Sequence, residues 1–245
     1  MTPQSEPLIL AFDCACSGLS VAVARGETVL AAAALDQATG QAASLAPAIQ
    51  AALRQAGVAP AQLDLIGVTT GPGSFTGIRI GLAMARGLAL ALDRPLAACS
   101  TFEATLASLP RPHRREFLAD AGRIVLAIDS RRAEIFVAEG DGDAVRDMRA
   151  APPQNVVAAL PTGRYALLGD AAPALHTAFA SAGRGAEIAL YDARPPQAAA
   201  FAPLLAARGV DYWRKSNAGA GLPRPLYLRG ADVTLPGGGG RVQAP

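Results

Sequence analysis

The chain is poor in the residue types that build metal centres and self-sufficient active sites. Among its 245 residues are three cysteines (Cys14, Cys16 and Cys99), two histidines (His113 and His176) and a single lysine, Lys215. An odd cysteine count without dense spacing argues against a disulfide framework and for reduced thiols, as in a cytoplasmic protein. The Cys14-x-Cys16 pair, with one distant thiol and two remote histidines, falls short of a closed four-ligand zinc site, so no metal is expected. Aromatic residues make up 5%, so the core must come from Ala, Leu, Val and Ile. Charged residues make up 17%, below the usual share of roughly a quarter. That argues against disorder and leaves apolar surface for a partner to cover. A net charge of +2 offers no basic face for autonomous nucleic-acid binding. No basic segment followed by an apolar one opens the chain as a secretory signal would. The most apolar stretch carries Arg79, Arg86 and Asp93, against a membrane span. A cytoplasmic protein with no membrane contact is expected.

Alternating and continuous apolar runs predict strands at 8–13, 19–24 and 28–35, an antiparallel meander. A helix over 41–56 follows, with Leu45, Ile49 and Leu53 on one face and Gly57 as its C-cap. A strand at 65–69 leads through a glycine turn into a second helix over 75–92; a strand at 95–99 and a helix from Thr101 come next. The opening hairpin then returns at an offset of 116 positions: LILAFDCACSGLSVAVARG lies over IVLAIDSRRAEIFVAEGDG without a gap. Asp13 falls on Asp129, Val21 on Val137 and Gly26 on Gly142. Helices over 153–160 and 173–182 flank a strand at 165–168 in the second copy. A repeated strand-rich unit implies a duplicated α/β fold with two similar halves and mixed sheets. The expected division is residues 1–107, a linker over 108–122, a second half over 123–229 and a flexible tail over 230–245. The linker holds Pro110, Pro112 and the basic residues Arg111, Arg114 and Arg115, read as a solvated face; residues 1–7 are also expected to be flexible.

Two aspartates at the ends of equivalent first strands are the pattern of actin-like, sugar-kinase-like and Hsp70-like phosphotransferases, in which the hairpin after each Asp wraps a phosphate. Such a cradle needs glycines or small hydroxyls so that backbone N–H groups can approach the oxygens. The loop from Cys14 to Gly18 meets that need poorly, and the loop from Ser130 to Glu134 is long-chained and charged. Leu168-Gly169-Asp170 is the nearest candidate for an adenosine-holding turn. Asp13 and Asp129 therefore read as a vestigial phosphate site. The GPGSFTG turn lacks the lysine of a P-loop; Ser74 reads as a helix cap and the glycines as turn formers. In the helix that follows, Gly77, Gly81, Ala85 and Ala89 fall four apart on one stripe beside Ile78, and Gly87 is a further glycine. Each helix-interior glycine costs about 1 kcal/mol relative to alanine, so another backbone must come close. That neighbour is either an internal element or a helix of a second chain. No catalytic constellation and no metal-ligand pattern emerges.

The run GPGSFTGIRIGLAMARGLALAL resembles the hallmark of the TsaB (YeaZ) family. So do the opening LAFD hairpin, SLAPAI in the first helix, LAIDSRRAEIFVA and the terminal RPLYLR. The resemblance implies a duplicated actin-like, RNase H-like (ASKHA) fold. It also implies a non-catalytic role in making threonylcarbamoyladenosine in bacterial tRNA, scaffolding and activating a TsaD-like catalytic subunit, with a TsaE-like ATPase in the same complex. ATP and metal would belong to those partners, tRNA would be met only through the complex, and the isolated chain would homodimerise through the same first two helices. The interface residues so implied are Leu45, Ile49, Leu53, Gly77, Ile78, Gly81, Ala85 and Ala89. An older glycoprotease label is contradicted by the missing histidines. The chain departs from the family's usual D-T-S at Asp13-Cys14-Ala15, and from its usual H-x-E at Gln41 and Ala43. The alternative is an actin-fold ATPase or phosphotransferase using Asp13 and Asp129.

Overall fold

The structure, a computed structural model, describes residues 6–36 and 40–229. The first half opens with β1 (Leu8–Asp13), β2 (Leu19–Arg25) and β3 (Thr28–Leu35), followed by α1 (Gln41–Ala56), β4 (Leu65–Thr69), α2 (Phe75–Leu92), β5 (Leu96–Cys99) and α3 (Thr101–Ala107). Every residue of β1 is buried, because the strand is central and covered on both faces. It pairs antiparallel with β2 and parallel with β4. The sheet order is β3-β2-β1-β4-β5.

The second half repeats the plan. β6 (Gly122–Asp129), β7 (Ile135–Asp141), β8 (Ala144–Ala151), α5 (Pro153–Ala159), β9 (Arg164–Leu168), α6 (Ala172–Ser181) and β10 (Ile188–Asp192) form a five-stranded sheet of order β10-β9-β6-β7-β8. Read from the meander edge, the two sheets have one order, with three antiparallel strands followed by two parallel ones. The 116-residue repeat is therefore a repeat of topology, and the class is the duplicated actin-like, RNase H-like fold.

Helices α1 and α2 cover one face of the first sheet, where Leu10, Phe12, Val21, Ile66 and Val68 meet Leu45, Ile49, Ile78 and Leu82. The opposite face meets α7 (Ala198–Ala206) and, beyond it, Trp213 of α8 (Val210–Ala220). Trp213 donates its indole N–H to the Leu205 carbonyl at 2.8 Å. These two helices lie in the stretch expected to belong to the second half, so residues 123–229 are not one spatial unit: the chain returns to the first sheet. The expected linker is also more structured than its prolines suggest. It contains α4 (Arg111–Ala119), begun with Pro112 in its first turn. Arg114 is buried there, donating to the Gly142 carbonyl at 2.8 Å and pairing with Asp143 at 3.1 Å. It ties α4 to the β7–β8 hairpin and is not part of a solvated basic face; Arg115 is exposed. The expected tail over 230–245 and most of the opening segment lie outside the described residues.

The halves meet through a shared core in which Cys16, Phe102 and Leu106 of the first pack on Ile124, Leu126 and Ile128 of the second. A final extended segment, 221–229, runs from α8 along the flank of α2. It donates Leu226 N–H to the Thr70 carbonyl at 2.8 Å, and its last residue, Arg229, pairs with Glu134 across the cleft.

Candidate functional site: a remnant cleft and an uncovered helix face

Asp13 ends β1 beside the β4 end, as the fold requires, but its carboxyl group is sealed. It is 2% exposed, accepts the Thr69 hydroxyl and takes the Ala15 N–H at 3.2 Å. Burial pushes its pKa up to about 6, against the opposing pull of the Thr69 hydroxyl and the Ala15 and Cys16 N–H groups. Asp129, its counterpart, is occupied by its own loop: it accepts the Arg131 N–H at 2.7 Å and faces the Arg131 guanidinium at 3.5 Å. Between them stands Asp170, whose Oδ1 accepts the Asp129 N–H at 2.8 Å. Burial raises its pKa, and the Ser17 N–H and Cys16 thiol of the first half approach closely enough to oppose that rise. A carboxylate of the chain itself thus lies between the two loops that would wrap a phosphate. The three thiols are buried and their pKa values raised, chiefly by burial, so they are poor nucleophiles. Among the described residues no group of three His, Cys, Asp or Glu side chains is arranged to hold a metal.

The glycine turn is built onto the first of those loops. Ser74 donates its N–H to the Ala15 carbonyl at 2.6 Å and caps α2 by accepting the Gly77 N–H at 3.2 Å. A Cβ on Gly73, which has φ 154°, would overlap the Ala15 carbonyl oxygen. One on Gly77 would overlap the Cys14 carbonyl oxygen. The nearby backbone that the helix glycines demand is therefore internal at Gly77. Gly81 faces Val68 and Cys14 in the same way, with room for a methyl group at 3.4 Å.

This changes the residue assignment of the expected interface. Leu45, Ile49, Leu53, Gly77, Ile78, Gly81, Ala85 and Ala89 all lie on the inward faces of α1 and α2 and are buried against the chain's own sheet. Each helix turns its more continuous apolar stripe toward the larger apolar surface, and that surface is the chain's own sheet. Gln41 is likewise engaged internally, its Nε2 donating to the Cys16 and Gly18 carbonyls at 3.2 and 2.6 Å; Ala43 is exposed.

What α2 presents outward was missed by the periodicity. Thr76, Ala83, Gly87, Leu90 and Ala91 are exposed, with Ile80, Met84 and Leu88 half-buried at the margin. Leu90 is 85% exposed. A Cβ on Gly87 would meet no heavy atom of the described residues within 4 Å, so nothing among them explains that glycine. The only signal for it in the sequence was its own cost. Arg79 and Arg86 line the flank beside the terminal segment: Arg79 lies 3.5 Å above the Phe75 ring and donates to the Tyr227 hydroxyl at 3.2 Å, and Arg86 donates to the Pro223 carbonyl at 2.6 Å. By length and composition α2 could cross a membrane, yet its inner face is a core face of this sheet.

A duplicated actin-like fold whose Asp13 is sealed within the chain and whose Asp129 is engaged by its own loop, with a second helix that leaves apolar residues exposed beside two arginines, defines the class. Residues 28–156 match the family described as "TsaD: tRNA N6-adenosine threonylcarbamoyltransferase". The chain is 36% identical over 128 residues, 52% of each chain, to the tRNA threonylcarbamoyladenosine biosynthesis protein TsaB of Bacillus subtilis. It is 33% identical over 135 residues, 55% of each chain, to TsaB of Escherichia coli. Each alignment spans about half the length of the curated relative it matches. The solved structure of YeaZ from Pseudomonas aeruginosa is similar with a TM-score of 0.66 and 26% identity, covering 91% of this chain and all of that one. The chain belongs to the TsaD family, and within it is similar to the TsaB and YeaZ proteins.

Proposed function

We propose that the chain is a non-catalytic subunit in the synthesis of threonylcarbamoyladenosine in tRNA, acting in the cytoplasm as a scaffold that holds and activates a TsaD-like catalytic subunit. The observation that carries this reading is the outer face of α2: a strip of exposed Ala83, Leu90 and Ala91, flanked by Arg79 and Arg86 and bearing Gly87 where no described residue requires a glycine. Contiguous exposed apolar surface on a soluble domain marks an interaction site. A glycine on it lets a second helix approach closely. The same outer faces of α1 and α2 serve for homodimerisation when the chain is alone. ATP and metal belong to the partner subunits, a TsaE-like ATPase among them, and tRNA is met only through the assembled complex.

The engagement of the three aspartates within the chain supports the non-catalytic part of the reading. Asp13 is sealed by Thr69, Asp129 accepts the Arg131 N–H of its own loop, and Asp170 stands between the loops. The rival reading, phosphotransfer by Asp13 and Asp129, requires both carboxylates to face Mg²⁺. Co-purification with the cognate tRNA N6-adenosine threonylcarbamoyltransferase tests the proposal, and failure of the wild-type chain to form that complex refutes it. Titration calorimetry with Mg-ATP on the isolated chain is expected to give no binding; tight binding with turnover favours the rival.

A further inference from the structure

The RPLYLR run, residues 224–229, lies in no helix or strand, yet the segment around it is held at one position after another. Pro223 and Pro225 fix their own φ and push the residues before them toward extended backbone, which stiffens the segment without internal hydrogen bonds. Its earlier part is attached to the first half. The Pro223 carbonyl accepts Arg86 at 2.6 Å, and the Leu226 N–H reaches the Thr70 carbonyl at 2.8 Å. The Tyr227 ring lies 5.2 Å from that of Phe75, and its hydroxyl accepts Arg79 at 3.2 Å. The last two residues reach the second half. Leu228 packs against the core that the halves share, and Arg229 pairs with Glu134 and lies 6.0 Å from the centre of the Phe136 ring. The attachment thus changes halves between Tyr227 and Leu228, a single step of about 3.8 Å that leaves no slack.

We infer that this segment is a clasp: it spans the mouth of the cleft and holds the two halves at one angle, and when it lets go they hinge about the contact between α3 and β6. Behind it lies a cavity of about 330 Å³ walled from three directions. Gly73 and Thr76 of the first half, Ser130 and Arg132 of the second, and Tyr227 and Arg229 of the clasp line it. The clasp wall is the one without secondary structure, and few buried apolar contacts hold it, so it opens before the sheets do. Its link to the second half is also the weaker one. The Arg229 and Glu134 side chains are 27% and 40% exposed, and an ion pair that wet is worth little alone and is screened by salt. Among the described residues the chain otherwise crosses between the halves twice, between α3 and α4 and between β10 and α7. Two short crossings beside one apolar contact are what a hinge needs.

The three buried thiols give the test, because each sits in a different core. Cys14 is on the α1–α2 side of the first sheet, Cys99 is on its α7 side, and Cys16 is where the halves meet. Opening of the hinge exposes Cys16 and leaves the other two covered. The folded full chain is treated with a thiol-alkylating reagent, and labelling of each cysteine is followed by peptide mass spectrometry. Arg229→Glu turns the ion pair into a like-charge contact. It should speed labelling of Cys16 by roughly five- to tenfold, the scale of losing one half-exposed pair and adding a repulsion. Adding Glu134→Arg to that variant should bring the rate back to that of the parent. Tyr227→Ala frees the clasp from the first half instead and should speed Cys16 by a similar factor. Arg224→Glu, exposed in the same segment, is the charge control and should change nothing. Cys14 and Cys99 should keep the parent's rates throughout. Cys16 labelling unchanged by Arg229→Glu or by Tyr227→Ala overturns the clasp, as does failure of the charge swap to restore the parent's rate. A rise at all three thiols reports loss of the fold instead of a hinge, and overturns it as well.

Discussion

Gly87→Ala separates a helix glycine kept for a partner from one kept for the fold. An added Cβ there meets no heavy atom within 4 Å, and alanine is favoured over glycine in a helix interior by about 0.8–1.0 kcal/mol. The isolated variant should therefore be more stable than its parent by about 1 kcal/mol, raising the unfolding midpoint by about 2–4 °C for a chain of this size. The complex should respond in the opposite sense. A methyl group wedged between closely crossing helices costs about 1–3 kcal/mol, so affinity for the transferase should fall by about 5- to 150-fold. Gly77→Ala is the contrast, because its Cβ would overlap the Cys14 carbonyl oxygen in a loop that also receives Gly73 and Gln41. That oxygen belongs to backbone and cannot swing aside, so the isolated chain should lose about 1–3 kcal/mol or more. Thermal unfolding followed by circular dichroism reads the first quantity, and titration calorimetry with the transferase reads the second. A Gly87→Ala chain that binds as tightly as its parent refutes the docking role of this face. A less stable one refutes the claim of open space, and a neutral Gly77→Ala refutes the close approach at the loop.

Gly81→Ala should be nearly neutral, since its methyl group would touch Val68 at 3.4 Å. Gly81→Leu should unfold or strongly destabilise the chain, measurable in urea, because the side chain points into the core and not at a partner. The Asp13 pKa, raised from 3.8 to about 6, makes the folded state bind the proton more tightly than the unfolded state. Stability from this group is therefore full below about pH 4, falls as pH rises to about 6 and stays lower above it, by on the order of 3 kcal/mol. Asp13→Asn should remove that step, so its stability relative to the parent improves between pH 4 and 7; parallel urea midpoints for the two chains would refute the assignment. Arg184 donates to the Val157, Leu160 and Pro161 carbonyls and pairs with Glu187 at 2.7 Å. Arg184→Ala should cost about 2 kcal/mol by removing a charged donor from each of those carbonyls, readable as a lower urea midpoint with the transferase complex still formed.

Local order in the chain was enough for the repeat, both Asp-terminated first strands, the helices at Gln41–Ala56 and Phe75–Leu92 and the Ser74 cap. Strand alternation, helix period and capping are written within a few residues of one another. β10, α4, α7 and α8 were not legible. Alanine runs such as the AAAFAPLLA of α7 carry no clear period, and proline in the first turn of α4 reads equally as a loop. Which half α7 belongs to depends on Phe201 and Leu205 finding Ile9 and Leu65 far back along the chain.

The candidate site divides in the same way. The sequence by itself determined that the helix after GPGSFTG carries costly glycines and that no ligand cluster or P-loop lysine accompanies them. Only the tertiary structure decided which glycine answers to which neighbour. Gly77 faces the Cys14 carbonyl and Gly81 faces Val68, both inside the chain, while Gly87 faces open space. A helix period gives the angle between residues but not which side the sheet will cover. That choice is made by contacts between residues remote in the chain, and here it turned the Gly77–Gly81–Ala85–Ala89 stripe onto the sheet and left Gly87 and Leu90 exposed.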